Sequence, residues 1–277
     1  MSMKEDYLQI NTDLARKILT GFIRTEITRA GFSRAVLGLS GGIDSSLACY
    51  LAAEALGPEN VLGIRMPYET SSSESMEHAQ QVIDALGIQT LTVSITGMVQ
   101  PLFERFPDAG QVRQGNIMAR ARMIILYDQS VAFNGLVVGT GNKTELLLGY
   151  TTLFGDSASA LNPMGDLYKT QLRQLARAMG VPEEIVAKPP SADLWAGQTD
   201  EQELGFTYED ADRLLYLLVD QRYSPQSCVE AGFDETFVRQ VVRRIRQNHF
   251  KRLMPPIAKV SNRTIGYDFL YLRDWGT

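Results

Sequence analysis

The stretch Ala35-Val36-Leu37-Gly38-Leu39-Ser40-Gly41-Gly42-Ile43-Asp44-Ser45-Ser46 decides how the rest of the chain is read. An apolar run of strand length, residues 35–39, ends in Ser-Gly-Gly. Asp44, Ser45 and Ser46 then open an apolar segment over 44–56 that carries Leu47, Ala48, Tyr50 and Leu51. Strand, tight loop and helix follow one another, and each part has a use if the ligand is a polyphosphate. Glycines without a Cβ let the backbone turn sharply and let a bulky anion approach. A helix start offers unpaired N–H groups and the positive end of its dipole. Ser40, Ser45 and Ser46 add hydroxyl donors, and Asp44 is placed to hold a metal ion beside the phosphates. The plain alternative is a strand-to-helix turn capped by Asp or Ser. The complete strand-loop-helix element favours phosphate binding over it.

Outward from this element, residues 5–30 read as an amphipathic helix, with Leu8, Leu14, Ile18, Phe22 and Ile27 near helical spacing. After the first strand and its helix, residues 61–66 form a short buried strand and 73–86 a helix ending at Gly87. Residues 90–95 are predicted as a third strand, 116–133 as a long helix and 136–139 as a fourth strand. This β-α alternation predicts an α/β fold, a parallel sheet with helices on both faces. Ligands on such sheets sit at the carboxyl ends of the strands, where the Ser-Gly-Gly loop and Gly139-Thr140-Gly141 both emerge. The chain from about residue 165 reads as mostly helical and is expected to pack on the same domain.

With 277 residues, 44% of them hydrophobic, the chain can bury a substantial core. A net charge of −5 argues against a nucleic-acid partner, which usually meets a basic face. No apolar run reaches transmembrane length, and the charged start Met-Ser-Met-Lys-Glu-Asp carries no signal core. Two cysteines, Cys49 and Cys228, make neither a disulfide framework nor a zinc site, so a cytoplasmic protein is expected. Cys49, in the apolar helix, reads as a small buried hydrophobe. His78 and His249 are too few and too far apart for a metal site, and Arg239, Arg243, Arg244 and Arg246 read as one solvated helix face.

The loop is not of the commoner nucleotide-binding kinds. No G-x-x-x-x-G-K-[ST] occurs, and Gly139-Thr140-Gly141-Asn142-Lys143-Thr144 lacks the third glycine of a dinucleotide fingerprint. Ser40-Gly41-Gly42-Ile43-Asp44-Ser45 resembles instead the pyrophosphate loop of the N-type ATP pyrophosphatases. Three more segments narrow the likeness: Gly115-Asn116-Ile117-Met118-Ala119-Arg120, Thr140-Gly141-Asn142-Lys143-Thr144-Glu145, and Ser191-Ala192-Asp193-Leu194-Trp195 after Pro189-Pro190. Together, and in this order, they resemble the NAD synthetase family over nearly the whole chain. With no length left for a glutaminase domain, the ammonia-dependent form is the match. The resemblance implies an adenine nucleotide alpha-hydrolase-like (Rossmann-like) single domain over 1–277, with the pyrophosphate loop at 38–46.

It also implies roles. Gly38, Leu39, Ser40, Gly41, Gly42, Ile43, Asp44 and Ser45 fall on the family's ATP loop, and Thr140, Lys169 and Ser191 on further ATP contacts. Asp44 and Glu145 match the carboxylates that hold Mg²⁺. Arg120, Asp156 and Lys251 match residues at the deamido-NAD substrate. Asp44, Glu145, Lys169 and Asp156 are the expected catalytic set. Many members carry Lys and Asp where this chain has Leu153 and Ala160, although a subset of bacterial enzymes looks similar there. The implied reaction joins the nicotinate carboxylate to the α-phosphorus of ATP, then replaces AMP by ammonia. The resemblance further implies a homodimer, and the apolar positions of 116–133 suit either its interface or the core. Trp195 reads as a loop residue folded onto the core, and 192–204 as a loop that closes over substrate. The alternatives are another ATP pyrophosphatase, adenylating a base in tRNA for instance, and a non-catalytic nucleotide-binding module. The acidic balance weakens the first, and retention of Asp44, Glu145 and Lys169 together weakens the second.

Overall fold

The apolar runs become four strands, β1 (Ala35–Gly38), β2 (Val61–Arg65), β3 (Gln89–Thr92) and β4 (Leu136–Val137), in a computed structural model that describes residues 7–191 and 199–268. All pair in parallel in the order β3-β2-β1-β4, with Ala35 opposite both Val61 and Leu136. Successive strand residues serve opposite faces. Ala35, Leu37 and Val61 join one core with α1 (Thr12–Arg29), α2 (Ile43–Leu56) and α3 (Ser73–Leu86). Val36, Leu62 and Ile64 join another with α4 (Thr96–Arg105) and α5 (Gln111–Ala132). A sheet covered on both faces must be apolar on both, which is why the inner strand β1 and its neighbour β2 do not alternate with polar residues, whereas the edge strand β3, Gln-Thr-Leu-Thr, is largely exposed.

The helix after the first loop has no polar face. Leu47, Ala48, Cys49, Leu51 and Ala52 of α2 are all fully buried, as a helix lying under α1, α3 and the sheet requires. Each large side chain so placed contributes about 2 kcal/mol. Beyond β4 come α6 (Lys143–Leu148) and then, in the part expected to be mostly helical, α7 (Lys169–Ala178), α8 (Glu183–Ala187), α9 (Asp200–Leu204), α10 (Tyr208–Leu215), α11 (Pro225–Glu230) and α12 (Glu235–Gln247). Leu172 and Leu175 of α7 and Ile185 and Val186 of α8 enter the same core as α2. Tyr168, Tyr208, Leu214 and Val238 form a third core with Leu148 of α6.

Several boundaries depart from the sequence reading for identifiable reasons. The first helix begins at Thr12 rather than at 5, because Asn11 caps it by accepting from Leu14 N at 2.9 Å. The long helix begins at Gln111, before Asn116, after an extended Gly110. The third strand stops at Thr92, where its partner β2 ends at Arg65. The fourth stops at Val137 and continues only as a bridge from Val138 to Leu161. Helix α4 was not predicted at all: Gly97 and Pro101 argue against it, yet burial of Val99 against the sheet holds it. Asp200 and Glu201, read as part of a polar loop, open α9 instead. The proposed closure of 192–204 and the position of Trp195 fall on 192–198, outside the described residues.

The strand order places the site. From β1 the chain moves outward through β2 and β3, then returns to the other side of β1 for β4. Connections leaving β1 and β4 therefore diverge, and a crevice opens at their carboxyl ends.

Candidate active site

The loop leaving β1 is shaped by its own serines. Gly41 has φ +80°, and a Cβ there would stand 2.0 Å from the Ser75 carbonyl oxygen, so glycine is needed on both counts. Ser45 Oγ and Ser46 Oγ donate to Gly42 O at 3.0 and 2.8 Å. Ser40 N donates to Ser45 Oγ at 3.2 Å, and Gly42 N to Ser40 Oγ at 3.3 Å. Leu39 and Ile43 are core residues that anchor the loop at both ends. The first N–H groups of α2 have no intrahelical acceptor, which leaves donors for an anion at the crevice.

Three charged side chains from three elements meet beside this loop. Asp44 projects from the first turn of α2, Glu145 from α6, and Lys169 opens α7. Lys169 Nζ donates to Asp44 Oδ2 at 2.5 Å and to Glu145 Oε1 at 3.3 Å. Asn142 N-caps α6 by accepting from Glu145 N at 3.0 Å, while Glu145 Oε2 accepts from Asn142 N at 3.4 Å. The same Asn142 donates from Nδ2 to Asp44 Oδ1 at 2.9 Å, so one residue orients both acids. Lys169 is held from behind: its N–H donates to Thr144 Oγ1 at 3.0 Å, and that hydroxyl donates to Asp212 Oδ1 at 2.5 Å. Asp212 Oδ2 accepts from Thr170 N at 2.8 Å, completing the tie between α6, α7 and α10.

The electrostatics are lopsided. Lys169 is only 2% exposed. Burial alone would lower its ammonium, but attraction to Asp44 and Glu145 outweighs that and holds it above the usual lysine range. Burial raises Glu145, Lys169 draws it down, and Asp44 and Asp200 push it up again. Asp200 is buried too and raised for that reason, with its oxygens accepting from Tyr150 and Tyr208 hydroxyls at 3.1 Å each. Three acids thus share one lysine, a field that invites a further cation. Among the described residues no three His, Cys, Asp or Glu side chains converge as a ready-made metal cage. Two carboxylates meeting at one point are the donor set that Mg²⁺ takes when phosphates and water complete its shell.

A second group of predicted residues lies apart from this cluster. Arg120 of α5 donates from Nε and Nη2 to Leu153 O at 3.3 and 3.1 Å. It also lines a cavity of about 770 Å³ with Leu102, Phe106, Val112, Arg113 and Asn116. Asp156 follows Phe154, which has φ +59°, and Gly155; its Oδ1 accepts from Thr152 N at 2.7 Å. Lys251 Nζ donates to Gly149 O and Thr151 O at 2.7 and 2.8 Å, pinning the chain that leads into this loop. Burial lowers the Lys251 ammonium, and attraction to Asp156 draws it part of the way back up. Thr140 is half-buried on the loop leaving β4, and Ser191 half-buried at the end of the segment after α8. Ala160 is exposed, with its N–H bonded to Val137 O at 2.9 Å.

Sequence reasoning missed Asn142, Thr144, Asp200, Tyr208 and Asp212. One signal was present: Asn142-Lys143-Thr144-Glu145 has the spacing of a capping box. Asp200 and Asp212 carried none, because an acid that ends up buried reads as a solvated one until its partners are known.

Known proteins resemble the chain over most of its length. Residues 15–255 match the NAD synthase family. The NH(3)-dependent NAD(+) synthetase of Trichlorobacter lovleyi is 60% identical over 269 residues, 97% of this chain and 98% of that one. The enzyme of the same name from Chlorobaculum parvum is 54% identical over 273 residues, 99% of both. Among solved structures, an NH3-dependent NAD synthetase from Campylobacter jejuni superposes with a TM-score of 0.78 at 31% identity, covering 91% of this chain and 100% of that one. An NMN synthetase from Francisella tularensis gives 0.80 at 29% identity, covering 90% and 99%. The parallel sheet, the loop at its switch point and these relatives agree: the chain belongs to the NAD synthase family.

Proposed function

We propose that the chain makes NAD from deamido-NAD, ATP and ammonia, through an adenylated deamido-NAD, releasing AMP and pyrophosphate. The observation that carries the reading is the meeting of Asp44, Glu145 and Lys169 beside the Ser-Gly-Gly loop, in a chain 60% identical to an NH(3)-dependent NAD(+) synthetase. In the first step a carboxylate oxygen of the nicotinate attacks the α-phosphorus, and the bond from that phosphorus to the bridging oxygen breaks. In the second, ammonia attacks the activated carbonyl carbon, the carbon–oxygen bond to AMP breaks, and the nitrogen gives up a proton.

Both steps bring anions together, so the protein's work is placement and charge. Ser40, Gly41, Gly42, Ile43 and Ser45 bind the leaving pyrophosphate through amides and hydroxyls, Gly38 and Leu39 form the strand end beneath it, and Thr140 and Ser191 hold ATP farther along the crevice. Asp44 and Glu145 hold Mg²⁺, which supplies neutralisation of phosphate charge when bound. Lys169 fixes the two acids and faces the phosphates. Arg120 grips deamido-NAD at the cavity on α5, and Asp156 and Lys251 order the loop beside the pyridine carboxylate.

Leu102 of α4, Phe106 just after it, and Val112, Ile124, Tyr127 and Val131 of α5 are exposed, Val131 by 82%. An apolar face of this extent beside the Arg120 cavity supports a homodimer built through it. No described helix is long and apolar enough to cross a membrane, and the two buried, unbridged cysteines suit a cytoplasmic enzyme folded as one domain.

The test is NAD formation from ATP, Mg²⁺ and deamido-NAD with ammonium or with glutamine. NAD and AMP with ammonium alone are expected; bound ATP without turnover would overturn the reading. The likeness to an NMN synthetase, together with Leu153 and Ala160, raises deamidated mononucleotide as a second acceptor. Supplying both acceptors in one competition assay decides between them.

A further inference from the structure

Lys188 caps the end of α8 three residues before Ser191, and its ammonium reaches the first turn of α3. Its Nζ lies 2.8 Å from Glu74 Oε2 and donates to Ser75 Oγ at 3.2 Å. Ser75 is the residue whose carbonyl packs against Gly41, so the ammonium stands one residue from the loop. The two ends of the pair differ. The Lys188 side chain is 20% exposed, whereas Glu74 is 62% exposed. A carboxylate that exposed is held weakly and is readily exchanged for a more highly charged anion.

Lys169 shares its single charge with Asp44 and Glu145, so by itself it offsets only part of a triphosphate's charge. The loop itself supplies amides and hydroxyls but no cationic side chain. An ammonium bonded to the residue that packs on Gly41, and paired with an exposed acid, meets that shortage. We infer that Lys188 is a further phosphate-binding residue of the ATP site, kept beside the loop by Glu74 and transferred to the β- and γ-phosphates when ATP or pyrophosphate binds. The inference rests on the ATP reading of the loop. Glu74 competes with phosphate for the ammonium, and Ser75 keeps the lysine in register during the exchange.

Titration calorimetry with magnesium pyrophosphate and magnesium ATP, without deamido-NAD, tests this on the intact protein. Lys188→Gln is expected to weaken both ligands by about tenfold, the scale of one charged hydrogen bond. Glu74→Gln is expected to tighten both by about twofold to threefold, because the competing carboxylate is gone. A merely structural strap between α8 and α3 predicts otherwise, since either change breaks the same pair and both would weaken binding alike. Equal weakening, or no change in Lys188→Gln, overturns the inference. If Lys188→Gln does not fold, Glu74→Gln alone decides: tighter binding supports the exchange, unchanged or weaker binding overturns it. Wild-type protein that binds neither ligand would instead remove the ATP reading of the loop, and this inference with it.

Discussion

Replacing Gly41 by Ala tests the loop at its tightest point. The backbone there has φ +80°, a region that costs an L-residue roughly 1–2 kcal/mol. The new Cβ would meet the Ser75 carbonyl oxygen at 2.0 Å, where ordinary contacts begin at 3.4 Å. Loop and α3 must therefore part by about 1 Å or more, and forced separations in packed interiors cost roughly 1–3 kcal/mol. The sum is a loss of roughly 2–5 kcal/mol, against a total stability of about 5–15 kcal/mol. For a domain of this size the melting temperature should fall by roughly 5–15 °C. Gly42→Ala is the control, since its Cβ would have Ser40 Oγ at 3.4 Å as nearest neighbour and its φ is −84°. It should keep near wild-type stability while losing ATP affinity, because the added methyl stands in the anion's path. Urea denaturation of both variants, with ATP binding measured beside it, makes the comparison. Gly41→Ala with a wild-type midpoint and wild-type ATP affinity would refute the packing of the loop on α3.

Other expectations follow from the same geometry. Asp212→Ala should cost about 3 kcal/mol, because the Thr144 hydroxyl and the Thr170 amide lose their buried acceptor; Asp212→Asn should cost less, and urea midpoints of the pair check this. Arg120→Ala should raise KM for deamido-NAD about tenfold and leave KM for ATP nearly unchanged, since Arg120 lies at the α5 cavity and not at the loop; equal effects on both would place it elsewhere. Burial pushes the Cys49 thiol up to about 12, so it stays protonated in the folded protein through pH 8.5. A disulfide-exchange reagent at that pH should modify Cys49 only after unfolding; rapid labelling of the native protein would contradict its place in α2.

The fold was readable where a local pattern coincides with a tertiary need. Strand and helix around Ser40–Gly42 were legible because an apolar run, two glycines and a helix start each follow from neighbouring residues. Helix α3 was read with its boundaries, for Ser72 caps it and Gly87 ends it at φ +66°. Helix α4 was not, because its stability comes from Val99 against the sheet and its own residues argue against it.

Sequence alone determined that a β-α chain carries a Ser-Gly-Gly loop leading into a helix at Asp44, and that Asn142-Lys143-Thr144-Glu145 follows the fourth strand. Those facts reside in residues a few positions apart, where spacing is geometry. Only the tertiary structure decided that Asp44, Glu145 and Lys169 meet at one ammonium, that Asn142 serves two acids, and that Asp200 and Asp212 are buried. Those contacts join elements from opposite sides of β1 and from the helical second half of the chain. The energy of a buried charge depends on partners brought to it by folding, and no local pattern in the sequence records that distance.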